Sequence, residues 1–236
     1  MSSPKRLARI AGFLYLLVAI FGGFAEGFVE PKMYVAGNAA ATVGNIVANT
    51  GLVRAGVVSD LADQAIFLFV AVTLYVLLKD VHRSVAFAMV VMVAIAAGIG
   101  SLNAIFEFEG LRVATESSYA AALGAAGSSA LVMTLLDMQH YGLLAAQIFF
   151  GLWLAPLGYL AYKSGWFAKA LGVLLIVATV CYLLDALAAF LVPDVARNIH
   201  GFIVIPSAIA ELSMVGYLIV VGVKTPKPAE RILAAV

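Results

Sequence analysis

The stretch AKALGVLLIVATVCYLLDALAAFLV, Ala168 to Val192, decides the fold. Past Lys169 its one charged residue is Asp185. The run is continuous, rich in Leu and Ala, and does not alternate, so it reads as a helix and not as a barrel strand. About 20 apolar residues cross roughly 30 Å of hydrocarbon, and this run is long enough. Five other stretches qualify, at about 7–29, 54–78, 85–108, 131–162 and 202–223. The expected architecture is all-α: a polytopic membrane protein of six transmembrane helices, forming one domain over residues 1–236.

Composition agrees. Of 236 residues 64% are hydrophobic and 11% charged, and the mean hydropathy is +1.07. A soluble domain has about 25% charged residues, so this chain could not cover a water-facing surface. Fourteen basic residues against thirteen acidic ones give a net charge of +1, which excludes a basic field for nucleic acid. Cys181 is the single cysteine, which excludes an internal disulfide and a multi-cysteine metal site.

Basic residues orient the spans. Lys5, Arg6, Arg9, Lys79, Arg83, Lys163, Lys169, Lys224, Lys227 and Arg231 fall on one side. Lys32, Arg54, Arg112 and Arg197 fall on the other. Ten against four place both termini in the cytoplasm. The apolar run after the basic start is too long for a signal-peptide core, so it reads as an uncleaved first span. Two outer links are long, Pro31 to Val53 and about Glu109 to Ala130. Residues 36–49 read as an amphipathic helix that packs over the spans or acts as a re-entrant lid. Pro156 is expected to kink the fourth span. His82 and His200 are expected in loops.

The candidate functional residues are those that lipid should exclude. An ionisable group at mid-bilayer costs about 2.5–3.5 kcal/mol on insertion scales. Glu26, Asp60, Asp63, Glu107, Asp137, His140, Asp185 and Glu211 fall inside the spans, and Asn103 shares a helical face with Glu107. Glu26, Asp60, Asp63, Asp185 and Glu211 stand 13 to 19 residues from the inner basic anchors. That places them roughly 20–28 Å up, on one shelf in the outer half. Glu107, Asp137 and His140 count higher, at about 35–39 Å, so Glu107 and Asp137, with Glu109, are the acids most readily read as solvated at the interface. Seven carboxylates face two nearby bases, Arg54 and His140. Carboxylates crowded in low dielectric cannot all ionise. The expectation is a polar, cation-attracting cavity that opens outward.

Asp137-x-x-His140 is half of a di-metal helix pair, and no second histidine completes it. No metal site and no cofactor are predicted, and no P-loop, dinucleotide fingerprint or haem pattern is present. Three readings stay open. One is binding or transport of a small cationic solute or protons. The second is a membrane-embedded enzyme that uses carboxylate acid–base chemistry on a lipid-like or prenyl substrate. The third is a structural or assembly subunit. The partners implied are the lipid bilayer and a small cationic or lipid-like ligand, with self-association open.

Four segments carry a family resemblance. They are RIAGFLYLL (Arg9–Leu17), RAGVVSD (Arg54–Asp60), FFGL with GYLAYKSG (Phe149–Leu152 and Gly158–Gly165), and Pro206 with Glu211-Leu212. Together they resemble the bacterial membrane family of the domain of unknown function DUF4386, over about residues 7 to 223. Relatives often carry a proline where Phe167-Ala168 stands here. The resemblance implies a six-helix bacterial inner-membrane protein and brings no activity, substrate or catalytic residues.

Overall fold

The computed structural model describes residues 3–224, all of whose regular elements are helical. The basic residues Lys227 and Arg231 lie outside the described residues. The helices are α1 (Pro4–Phe24), a π-helical turn (Ala25–Val29), α2 (Glu30–Met33), α3 (Ala39–Ala48) and α4 (Thr50–Leu78). They continue as α5 (Arg83–Thr115), α6 (Ser117–Leu152), α7 (Leu154–Ser164), α8 (Lys169–Leu191) and α9 (Pro193–Val220). Six runs are long and apolar enough to cross a membrane: Pro4–Met33, Thr50–Leu78, Arg83–Thr115, Ser117–Ser164, Lys169–Leu191 and Pro193–Val220. The chain is a multi-pass membrane protein.

The helices outrun their expected ends for local reasons. The stretch expected as a second long outer link is helical, with Glu116 alone between α5 and α6. Arg112 ties this end together by bonding Glu109 and Glu116, each at 2.9 Å and one turn away. The rest of that stretch is rich in Ala, the best helix former. Its one break is Gly124, whose φ of 72° and ψ of 164° suit glycine alone. Helix α6 gives way to α7 at Trp153, three residues before Pro156, with Trp153 itself in helical dihedrals. Helix α9 begins with Pro193 at its first turn and Asp194 beside it, a favourable start. His200 therefore lies inside a helix, which corrects its expected place in a loop.

The chain divides into two compact units. The first comprises Met1–Leu14, Val70–Val91 and Gly151–Val236, and the second Tyr15–Phe69 and Met92–Phe150. In the first, α8 packs on α7 and α9. Helix α7 ends on Gly165 in the left-handed region. In the second, Met33, Ile46, Val53, Leu111, Val132 and Leu136 form a buried core. Ile46 and the fully buried Thr42 anchor α3 to this core. Asn38 caps α3 through Ala41 N–H at 3.0 Å, and Asn45 Nδ2 donates to Met33 O at 3.4 Å. The helix expected within 36–49 thus exists and packs on its unit.

Candidate functional site

Most of the candidate residues fall in the second unit, and they meet through helix backbones that carry no side chain. On α4, Gly56 and Asp60 share a face, one turn apart. A Cβ on Gly56 would stand 3.3 Å from Glu107 Oε1, so the Glu107 carboxyl of α5 reaches that face. There it comes near the Asp60 carboxyl, the strongest side-chain partner acting on it. Both are buried, at 7% and 4% exposure. Two carboxyl groups this close in a buried site cannot both ionise freely, so a proton shared between them is the expectation tested below. Glu107 is therefore not a solvated acid.

Asp63 is one turn further along α4, buried, with its Oδ2 accepting from Gln64 Nε2 at 3.1 Å. Its carboxyl lies against Gly22 of α1, where a Cβ would stand 3.6 Å away. Gln64 itself lies on Gly100 of α5, and Asn103 lies on Gly142 of α6. Four glycines thus each admit one polar side chain from a neighbouring helix. Asn103 is 3% exposed, and its Nδ2 has no hydrogen-bond partner. It stands one turn from Glu107 on α5.

The π-helical turn carries Glu26. Such turns insert one extra residue per turn into a helix and often occur at functional sites. Beyond it, Glu30 Oε1 lies 3.3 Å from His140 Nδ1. The Tyr34 hydroxyl donates to Asp137 Oδ1 at 2.6 Å, and the Tyr34 and His140 rings stack with centroids 5.6 Å apart. Burial first, and then the bond to Asp137, hold the Tyr34 phenol above its ordinary value, so it remains a donor at neutral pH. Glu30 and Tyr34 escaped the sequence reading. The signal is in the sequence, since Glu26, Glu30 and Tyr34 recur at i, i+4 and i+8, but the apolar run ends at Val29 and Pro31 opens the expected link. Arg54 stands over the Phe108 ring at 5.9 Å.

Asp185 and Glu211 belong to the first unit, and each has its own partner. His200 Nδ1 lies 3.0 Å from both oxygens of Asp185, which is 2% exposed. The Tyr182 hydroxyl donates to Glu211 Oε1 at 2.6 Å. That phenol thus reaches from α8 to α9.

Two cavities have other linings. One of about 240 Å³ lies in the second unit, where Glu116, Ser117, Ser128 and Ser129 line it among small apolar residues. The other, of about 450 Å³, lies beside the start of α1. No candidate acid lines either of them. Among the described residues no group of three or more His, Cys, Asp or Glu is placed to hold a metal ion.

The glycine contacts give a direct test. A Cβ on Gly142 would stand 2.1 Å from Asn103 Oδ1, whereas one on Gly22 meets Asp63 at an ordinary 3.6 Å. Gly142→Ala is expected to destabilise by about 1–3 kcal/mol, and Gly22→Ala by under about 0.5 kcal/mol. Unfolding in a detergent titration measures both, and equal losses would contradict the stated packing.

No curated protein and no solved structure matches the chain. The family described as Domain of unknown function (DUF4386) matches residues 10–222. Running from within α1 to just past the end of α9, that match makes the chain a member of the DUF4386 family.

Proposed function

We propose that the acids of the second unit form a proton-exchanging site that binds or carries a small cationic solute or protons from the outer side of a bacterial inner membrane. The observation that carries this reading is the burial of the Asp60 and Glu107 carboxyls on one face, with Glu107 Oε1 set against Gly56 one turn from Asp60. A carboxyl pair with one proton can release it and gain a negative charge, which a solute cation then neutralises. Asp63 and Glu26 add acceptors beside it, and the unpartnered Nδ2 of the buried Asn103 adds a donor. Both termini are cytoplasmic in this proposal, on the strength of the ten-to-four basic bias.

Proton flux tests it without a known solute. Vesicles that contain the protein and an internal pH dye are driven by a potassium diffusion potential. They are expected to acidify faster than protein-free vesicles. Asp60→Asn and Glu107→Gln should each return the rate to the protein-free level. No difference between native and empty vesicles would sink transport.

A specific observation favours an enzyme as the second reading. Tyr34, Asp137, Glu30 and His140 set a phenol, an imidazole and two carboxylates side by side, which is an acid–base set. A lipid-like substrate consumed by the native protein but not by Glu30→Gln would select it.

A further inference from the structure

The first turns of α1 carry a feature that the acids do not account for. The cavity of about 450 Å³ is lined by Lys5, Arg6 and Arg9, and then by Ile10, Phe13 and Leu14. We infer that this groove holds one anionic phospholipid, with its phosphate among Lys5, Arg6 and Arg9 and an acyl chain along Ile10 and Phe13.

The two faces of α1 set the occupant. Ala8, Ala11 and Tyr15 are buried, and a Cβ on Gly12 would stand 2.7 Å from Leu218 Cβ of α9. That face belongs to the protein. Arg6, Arg9, Ile10 and Phe13 lie on the other face, where Ile10 is 41% and Phe13 58% exposed. In a bilayer this exposed face meets lipid. Its chemistry runs in one order along the axis, cations first and apolar side chains after. Arg6 to Phe13 spans about 10 Å, a length over which a headgroup gives way to acyl chain. A soluble anion would use the cations and leave Ile10 and Phe13 idle, and a zwitterionic lipid would bring its own cation to three others. Among the described residues no carboxylate lines the groove to neutralise it. Basic side chains at a membrane surface attract anionic lipid roughly additively, and here three converge on one groove.

The full-length protein is placed in vesicles of equal phosphatidylglycerol and phosphatidylcholine, extracted in detergent, and its retained lipid counted by mass spectrometry. Phosphatidylglycerol should be enriched, and R6Q/R9Q should lower the enrichment about tenfold. K163Q/K169Q removes the same charge elsewhere and should leave it unchanged. Ile10→Ala with Phe13→Ala should lower it too, and glycerol phosphate should not displace the lipid. All three variants alter surface positions, and unchanged melting confirms that each is folded. Equal loss in both charge variants would reduce the effect to bulk surface charge. Displacement by glycerol phosphate would make the groove a soluble-anion site. Either result overturns the inference.

Discussion

Gly158→Val is expected to cost the protein about 3 kcal/mol or more, a large share of a stability of about 5–15 kcal/mol. A Cβ on Gly158 would stand 2.7 Å from the carbonyl oxygen of Gly172 and 2.9 Å from Ile176 Cγ1. The contact is reciprocal: a Cβ on Gly172 would stand 2.7 Å from the carbonyl oxygen of Gly158 and 2.9 Å from the backbone nitrogen of Tyr162. Backbone atoms cannot rotate aside as a side chain can. Helices α7 and α8 would have to separate along their whole contact, and in a bilayer that contact is held by close packing and not by the hydrophobic effect. Gly172→Val should behave alike. Gly216→Val is the control, because a Cβ there meets nothing within 4 Å, and it should shift stability by less than about 1 kcal/mol. A denaturation series of the three variants reads the difference, and equal stabilities would refute the tight crossing.

The second large effect belongs to the carboxyl pair. Glu107→Leu leaves the buried Asp60 without the polar group beside it. An unsatisfied buried polar group costs about 1–3 kcal/mol, and more if it is charged. Glu107→Gln keeps the shape and a donor, so its cost should be under about 1 kcal/mol. Replacing both acids by leucine removes the polar requirement altogether. Buried ionisable pairs replaced by apolar groups are often neutral or stabilising. The double variant Asp60→Leu/Glu107→Leu should therefore regain the stability lost by Glu107→Leu while its vesicles lose proton flux. A double variant less stable than either single one would make the pair a structural necessity.

The spans were legible because the bilayer sets a length and a polarity that few sequences meet by accident. Asp60, Asp63, Glu107 and Asp185 were legible for the same reason: a carboxylate in an apolar run needs an explanation, and the structure buries all four. Partners were harder to read. Glu30 and His140 are far apart in sequence, and no periodicity joins them. The π-helical turn at Ala25–Val29 leaves no trace in an apolar run, since one extra residue changes no composition. His200 was missed because the span was started at Phe202, although Pro193 and Asp194 mark the helix start. Residues 109–130 were read as a link because they are small and weakly apolar, where Ala-rich sequence is strongly helical. Gly56, Gly100 and Gly142 look like ordinary packing glycines until a polar side chain is found against each.

Infrared spectroscopy of the protein in lipid at neutral pH tests the shared proton most directly. A protonated carboxyl stretch should be present in the native protein, shift on deuterium exchange, and be lost in Glu107→Gln and in Asp60→Asn. A native spectrum without that band, or a band that survives both substitutions, would contradict a proton held between Asp60 and Glu107.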